Sequence, residues 1–143
     1  MQELSFSNMV SIAERSSLGI DQLLNNMWSV ADDTNNAPNF PPHEIVKTGE
    51  HSWQISMALA GFSKKDVSIN VADNVLTISS KGVKPGENGT VLHGGIAYRP
   101  FKRKFMLGEF IEVGDASMKE GILKLEFTQE LPENKKPKTV EIK

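Results

Sequence analysis

The chain contains no cysteine, which excludes disulfides, thiolate metal sites and thiol nucleophiles and fits a reducing compartment, the cytoplasm being the simplest. No apolar run approaches the roughly 20 residues that a membrane helix needs, and the opening stretch Met1–Ser5 lacks the basic start of a secretory signal. A soluble protein with no membrane span is expected. Net charge is also nearly absent. The 16 basic residues stand against 18 acidic ones, a balance of -2, so no global field draws the chain to nucleic acid or an anionic membrane. Missing too are a phosphate-cradling glycine loop, a nucleophile elbow and an HExxH helix. His43, His51 and His93 are scattered with no i+4 pairing, and the carboxylates Asp32 and Asp33 lie in a proline-marked stretch that cannot hold them in acid–base geometry. No enzymatic activity, metal or cofactor is expected.

What is present is alternation. Between Asp115 and Phe127, Leu123, Leu125 and Phe127 share one parity while Lys124, Glu126 and Thr128 share the other, the pattern of a strand with one buried face. Glu120-Gly121 precedes it as a turn, because glycine accepts a positive φ without steric cost. Trp53, Ile55, Met57 and Leu59 repeat the pattern up to Gly61, as do Val67, Ile69 and Val71. Asp73-Asn74 offers a turn before Leu76 and Ile78. Residues 81–90, rich in glycine and proline, read as a flexible loop, His93–Tyr98 as a short strand and Phe101–Leu107 as a longer one. Short strands with turns every 8–12 residues and almost no helix after residue 42 predict an all-β, immunoglobulin-like antiparallel β-sandwich.

Upstream, Ile20, Leu23, Leu24, Met27 and Trp28 keep the i, i+3, i+4, i+7, i+8 spacing of one helical face, predicting a short amphipathic helix near residues 20–30. Two readings stand. The helix packs on the domain's own core, or it is a detachable apolar segment whose Phe6, Met9, Leu23, Leu24, Met27 and Trp28 adapt to many surfaces. The polar, proline-marked stretch from Asp32 to Pro42 favours detachment. The organisation expected is an arm (1–36), a partly helical or disordered segment, then the sandwich (37–131) and a flexible tail (132–143). Within Lys102-Arg103-Lys104, Arg103 shares its parity with Phe101, Phe105 and Leu107, so a regular strand points it at the apolar or interface side, where it needs a partner; a bulge would turn it outward.

Met57–Phe62, Asp66–Val71, Asn74–Ser79, Phe101–Phe105, Ala116-x-x-x-Glu-Gly-Ile-Leu123 and Val140-Glu-Ile142 together resemble the small heat shock protein (α-crystallin) family, most closely its bacterial type. Two positions depart from the family's commoner pattern: Glu120 stands where Asn or Asp is usual, and Ile122 where Val is. The resemblance implies ATP-independent holding of unfolding proteins by a dynamic oligomer of dimers. It further implies a segment near 91–98 exchanged between partners, with Leu92, Ile96, Tyr98 and Arg103 at the dimer interface. Val140 and Ile142 would anchor the tail in a groove formed by Val67, Ile69, Val71, Ala116 and Met118. The partners implied are unfolded or partly unfolded client proteins, further copies of the chain, and ATP-driven refolding chaperones. Two rivals remain: a monomeric sandwich scaffold or co-chaperone docking one folded partner, and a nucleic-acid-binding protein using an exposed Lys102–Lys104 face.

Overall fold

A computed structural model describes residues 5–16, 18, 21–34, 40–84, 89–132 and 137–143. Seven strands among the described residues run β1 (His43–Gly49), β2 (Ser52–Ala58), β3 (Ser68–Ala72), β4 (Val75–Ser80), β5 (Phe101–Met106), β6 (Ile111–Lys119) and β7 (Ile122–Gln129), preceded by helices α1 (Phe6–Ser16) and α2 (Asp21–Thr34). One antiparallel sheet has the order β1-β2-β7-β6, the other β3-β4-β5.

The alternating side chains form the layer between the sheets. Leu123, Leu125 and Phe127 of β7 lie opposite Met57, Ile55 and Trp53 of β2, while Leu76 and Ile78 come from the other sheet. Met57, Leu76, Ile78 and Leu125 are fully shielded from solvent. Each such side chain contributes roughly 1.5–3 kcal/mol by leaving water. Two tight turns fix the register. Asp73 and Asn74 (φ 50° and 61°) join β3 to β4, and Glu120 and Gly121 (φ 54° and 78°) join β6 to β7, both with the paired positive φ of two-residue hairpins.

Three details differ from expectation. Beyond His43 as a strand start the sequence gives no course for β1, because it runs to Gly49 as a one-sided edge with almost every residue exposed and so carries no apolar alternation. His93–Tyr98 forms no strand: among the described residues no ladder joins it beyond the single bond from Val83 N to the Tyr98 carbonyl, and an extended segment gains its hydrogen bonds only from a neighbour. Asp32, Asp33 and Thr34, expected in the polar linker, continue α2; residues 35–39 lie outside the described part.

Candidate functional site

The sandwich leaves two flanks. Phe105 of β5 meets the ring of His43, the first residue of β1, edge-on at 5.3 Å, so β5 lies over β1. The strand orders then place β3 and β6 together on the opposite flank.

On the β3–β6 flank, Ile69 pairs with Ile78 and Val71 with Leu76, while Ala116 pairs with Leu125 and Met118 with Leu123. Directly opposed residues of an antiparallel ladder share a face. Because Leu76, Ile78, Leu123 and Leu125 point inward, their partners on β3 and β6 also turn toward the interlayer space. Val67 and Met118 pack against the core, yet Ile69 and Val71 stay 38% and 46% exposed. Ile69 and Val71 thus leave apolar surface exposed along β3. The expected tail ligands Val140 and Ile142 are 74% and 100% exposed, so the tail of a single chain is not seated.

On the β1–β5 flank, β1 pairs with β2 alone among the described residues and presents a free backbone edge. Beside it opens an apolar cavity of about 500 Å³ between the end of β5 and the inner face of the larger sheet, lined by Ile45, Trp53, Ile55, Phe105, Met106 and Leu107 and walled on one side by Val30 of α2. The segment expected to cross to a partner carries Val91, Leu92 and Ile96, all at least 60% exposed. Its base is fixed. The Tyr98 ring lies on Gly61, where an added Cβ would stand 2.7 Å from the ring, and the Tyr98 carbonyl accepts a 3.0 Å hydrogen bond from Val83 N. Arg99 stacks over Phe40 at 4.6 Å, and Phe40 meets Phe101 edge-on. Tyr98 is therefore the root of the segment and half-buried on its own chain.

Arg103 is 7% exposed and pairs with Ile78 in a β4–β5 register that runs unbroken from Val75↔Met106 to Ser80↔Phe101. No bulge rotates it outward. It points inward as parity demands, and the single chain already engages it in an interaction. Lys102 is exposed, whereas Lys104 is half-buried and donates from Nζ to Ser29 Oγ at 2.9 Å. Lys102 and Lys104 share the outward face of β5 while Arg103 turns inward, so the triplet does not present its three charges on one face.

Helix α2 holds a feature that spacing did not predict. Gln22, Asn26 and Ser29 face the sandwich, over the outward row Asn70, Thr77 and Lys104 that crosses β3, β4 and β5. A polar helix face meets a polar sheet face. The apolar face, with Leu23 (46% exposed), Met27 (36%) and Trp28 (63%), is turned to solvent, and Leu24 is half-buried. On α1, Met9 and Ile12 are likewise exposed; Phe6 belongs to that helix, but its side chain, like residue Ile20, lies outside the described part.

Comparison with known proteins agrees with this architecture. The model of the Hsp20/alpha crystallin family matches residues 45–143. Small heat shock protein HspE of Bradyrhizobium diazoefficiens is 38% identical over 128 residues, covering 90% of this chain and 83% of the relative. Small heat shock protein IbpA of Yersinia pestis is 33% identical over 129 residues, 90% and 93% of the two chains. The solved small heat shock protein of Synechococcus phage S-ShM2 superposes with a TM-score of 0.58 at 34% identity, over 72% of this chain and 99% of that one. A C-terminally truncated AgsA from Salmonella typhimurium does so with a TM-score of 0.58 at 25% identity, over 71% and 98%. With two sheets of these strand orders, open at both flanks and matched from β1 to the last residue, the chain belongs to the Hsp20/alpha crystallin family of small heat shock proteins.

Proposed function

We propose that this protein is an ATP-independent holdase, which captures unfolding proteins and prevents their aggregation as a dynamic oligomer of dimers. The observation that carries the reading is α2: a helix seated on the domain with Leu23, Met27 and Trp28 on its outward face. Exposed apolar area of this kind is unfavourable in water unless something covers it, and unfolding chains expose matching surface. Repetition of the stripe over many subunits adds avidity that one copy lacks.

Assembly follows from the two flanks. The segment carrying Leu92 and Ile96 adds as a strand to the free edge of a partner's β1, its alternate side chains entering the partner's apolar cavity, with Tyr98 as the pivot and Arg103 stiffening the strand beneath. Val140 and Ile142 share one face of an extended tail, so both enter the groove of Val67, Ile69, Val71, Ala116 and Met118 on a neighbour while Glu141 faces water. Burying a Val and an Ile contributes roughly 1.5–3 kcal/mol each, close to the cost of immobilising the tail, so single contacts open readily while the set holds the particle. Under this reading residues 1–36 capture and assemble, 37–131 form the sandwich and 132–143 link dimers into the particle. The protein works in the cytoplasm, and ATP-driven chaperones take over the held clients.

Light scattering of a heated client, with and without ATP, tests the central claim. Protection is expected to be equal in both arms and to fall with Leu23→Ser, Met27→Ser and Trp28→Ser combined; full protection by that variant overturns the role of α2. Native mass measurement separates this reading from a monomeric scaffold. The oligomer is expected to drop to about dimer size in the Val140→Ala, Ile142→Ala variant, with its β spectrum intact.

A further inference from the structure

Helix α2 docks with Leu23, Met27 and Trp28 left largely exposed, while Leu24 and Val30 are half-buried and Val30 walls the apolar cavity. Successive residues of a helix are rotated by about 100°, so Gln22, Asn26 and Ser29 share one side, Met27 and Trp28 fall on the other, and Leu23 lies at the border. The docked side is anchored at one point above others. Asn26 is 8% exposed, and its Nδ2 donates to the carbonyl of Asp73 at 2.8 Å. Its Oδ1 accepts from Gln22 Nε2 at 3.0 Å. Asp73 is the first residue of the two-residue β3–β4 turn, with φ 50°, and the second turn carbonyl, of Asn74, accepts from Leu107 N at 2.8 Å. One turn carbonyl thus ties the hairpin to its own sandwich, and the other is left to the helix.

We propose that the Asp73-Asn74 turn is the receptor for the arm helix and that Asn26 is the positioning residue that seats it, holding the apolar stripe outward on the sandwich. The amide suits this role because it donates to the turn and accepts from Gln22 at once. An aliphatic side chain would leave the Asp73 carbonyl without this donor, whereas a carboxylate would set oxygen against oxygen. Ser29 with Lys104 is a second, weaker fastening, because its donor reaches from the end of a long flexible side chain. The latch is polar and small, so it opens without disturbing the core, and α2 is an element that local fluctuation frees before the sandwich unfolds. The inference concerns what seats the helix and stands whether or not the stripe captures clients.

The test uses the full-length oligomer and the nearly isosteric Asn26→Asp, which keeps the acceptor and loses the donor. Amide exchange of residues 21–34 is expected to rise roughly 10- to 100-fold, the range of one lost buried hydrogen bond, with β2 and β7 unchanged. Asp73→Gly keeps the carbonyl and relieves the positive φ, so exchange of α2 is expected to stay at the wild-type rate. Because the chain has no cysteine, a nitroxide on Asn25→Cys reports α2 alone, and its spectrum is expected to narrow with Asn26→Asp but not with Ser29→Ala. Unchanged α2 exchange in Asn26→Asp overturns the proposal. Equal acceleration of β3 and β4 amides also overturns it, since Asn26 would then support the hairpin rather than seat the helix.

Discussion

Strand β7 and helix α2 each carry an apolar stripe, and they present it to opposite environments. In β7, Leu123, Leu125 and Phe127 are at most 4% exposed, whereas Leu23, Met27 and Trp28 of α2 are 36–63% exposed. The difference lies in what each element finds beside it. β7 is central, with β2 and β6 on either edge and the second sheet above, so its apolar face has a wall to close against. α2 finds the outer face of the smaller sheet, where Asn70, Thr77 and Lys104 stand, and polar groups there are matched by Asn26 and Ser29 rather than by leucine. An amphipathic element thus buries whichever face its surroundings complement, and the remaining face stays exposed.

The sharpest break of this comparison is inside the sandwich. Arg103→Ala is expected to cost about 3–5 kcal/mol in a urea titration, because it removes a buried guanidinium that the single chain already engages. An unchanged midpoint would falsify the inward assignment. Leu125→Ala comes next, at about 2–5 kcal/mol, since the side chain is fully buried and its loss leaves a cavity, whereas Leu23→Ala on α2 is expected to stay within about 0.5 kcal/mol in the same titration. Equal losses would mean that the stripe of α2 is packed after all.

A smaller effect is expected at the β6–β7 turn. Glu120 holds φ 54°, a region that ordinary side chains enter at a cost and asparagine tolerates well, so Glu120→Asn is expected to raise stability by about 0.5–1 kcal/mol. A lowered thermal midpoint would show that the Glu120 side chain makes up for its backbone. The smallest effect concerns Asp66, which closes the short 3-10 turn after β2. The backbone N–H of Ser63, then its hydroxyl, hold the Asp66 carboxyl below its ordinary range. Its folded value being depressed, the contribution is present above the unfolded value and fades as pH falls through the folded one. Carboxyl titration followed by NMR is expected to place Asp66 below the ordinary aspartate value, and Ser63→Ala, which removes the hydroxyl but keeps the backbone N–H, to raise it part of the way back.

Much of this molecule followed from residue order alone. The period-two alternation of β2, β4 and β7, the turns at Asp73-Asn74 and Glu120-Gly121 and the inward Arg103 are properties of consecutive residues, and backbone geometry leaves them little freedom. The helical face of α2 was legible for the same reason, since spacing dictates which side chains travel together. What spacing does not contain is the identity of the neighbour. Only the folded sandwich decided that α2 sits by Asn26 on the carbonyl of Asp73, 47 positions away in the chain, that β1 runs as an edge strand along β2, and that Tyr98 roots its segment on Gly61. A turn carbonyl, a free sheet edge and a Cα without a side chain are backbone features that any sequence can bear. They become recognition sites only when chain closure brings a complementary group against them.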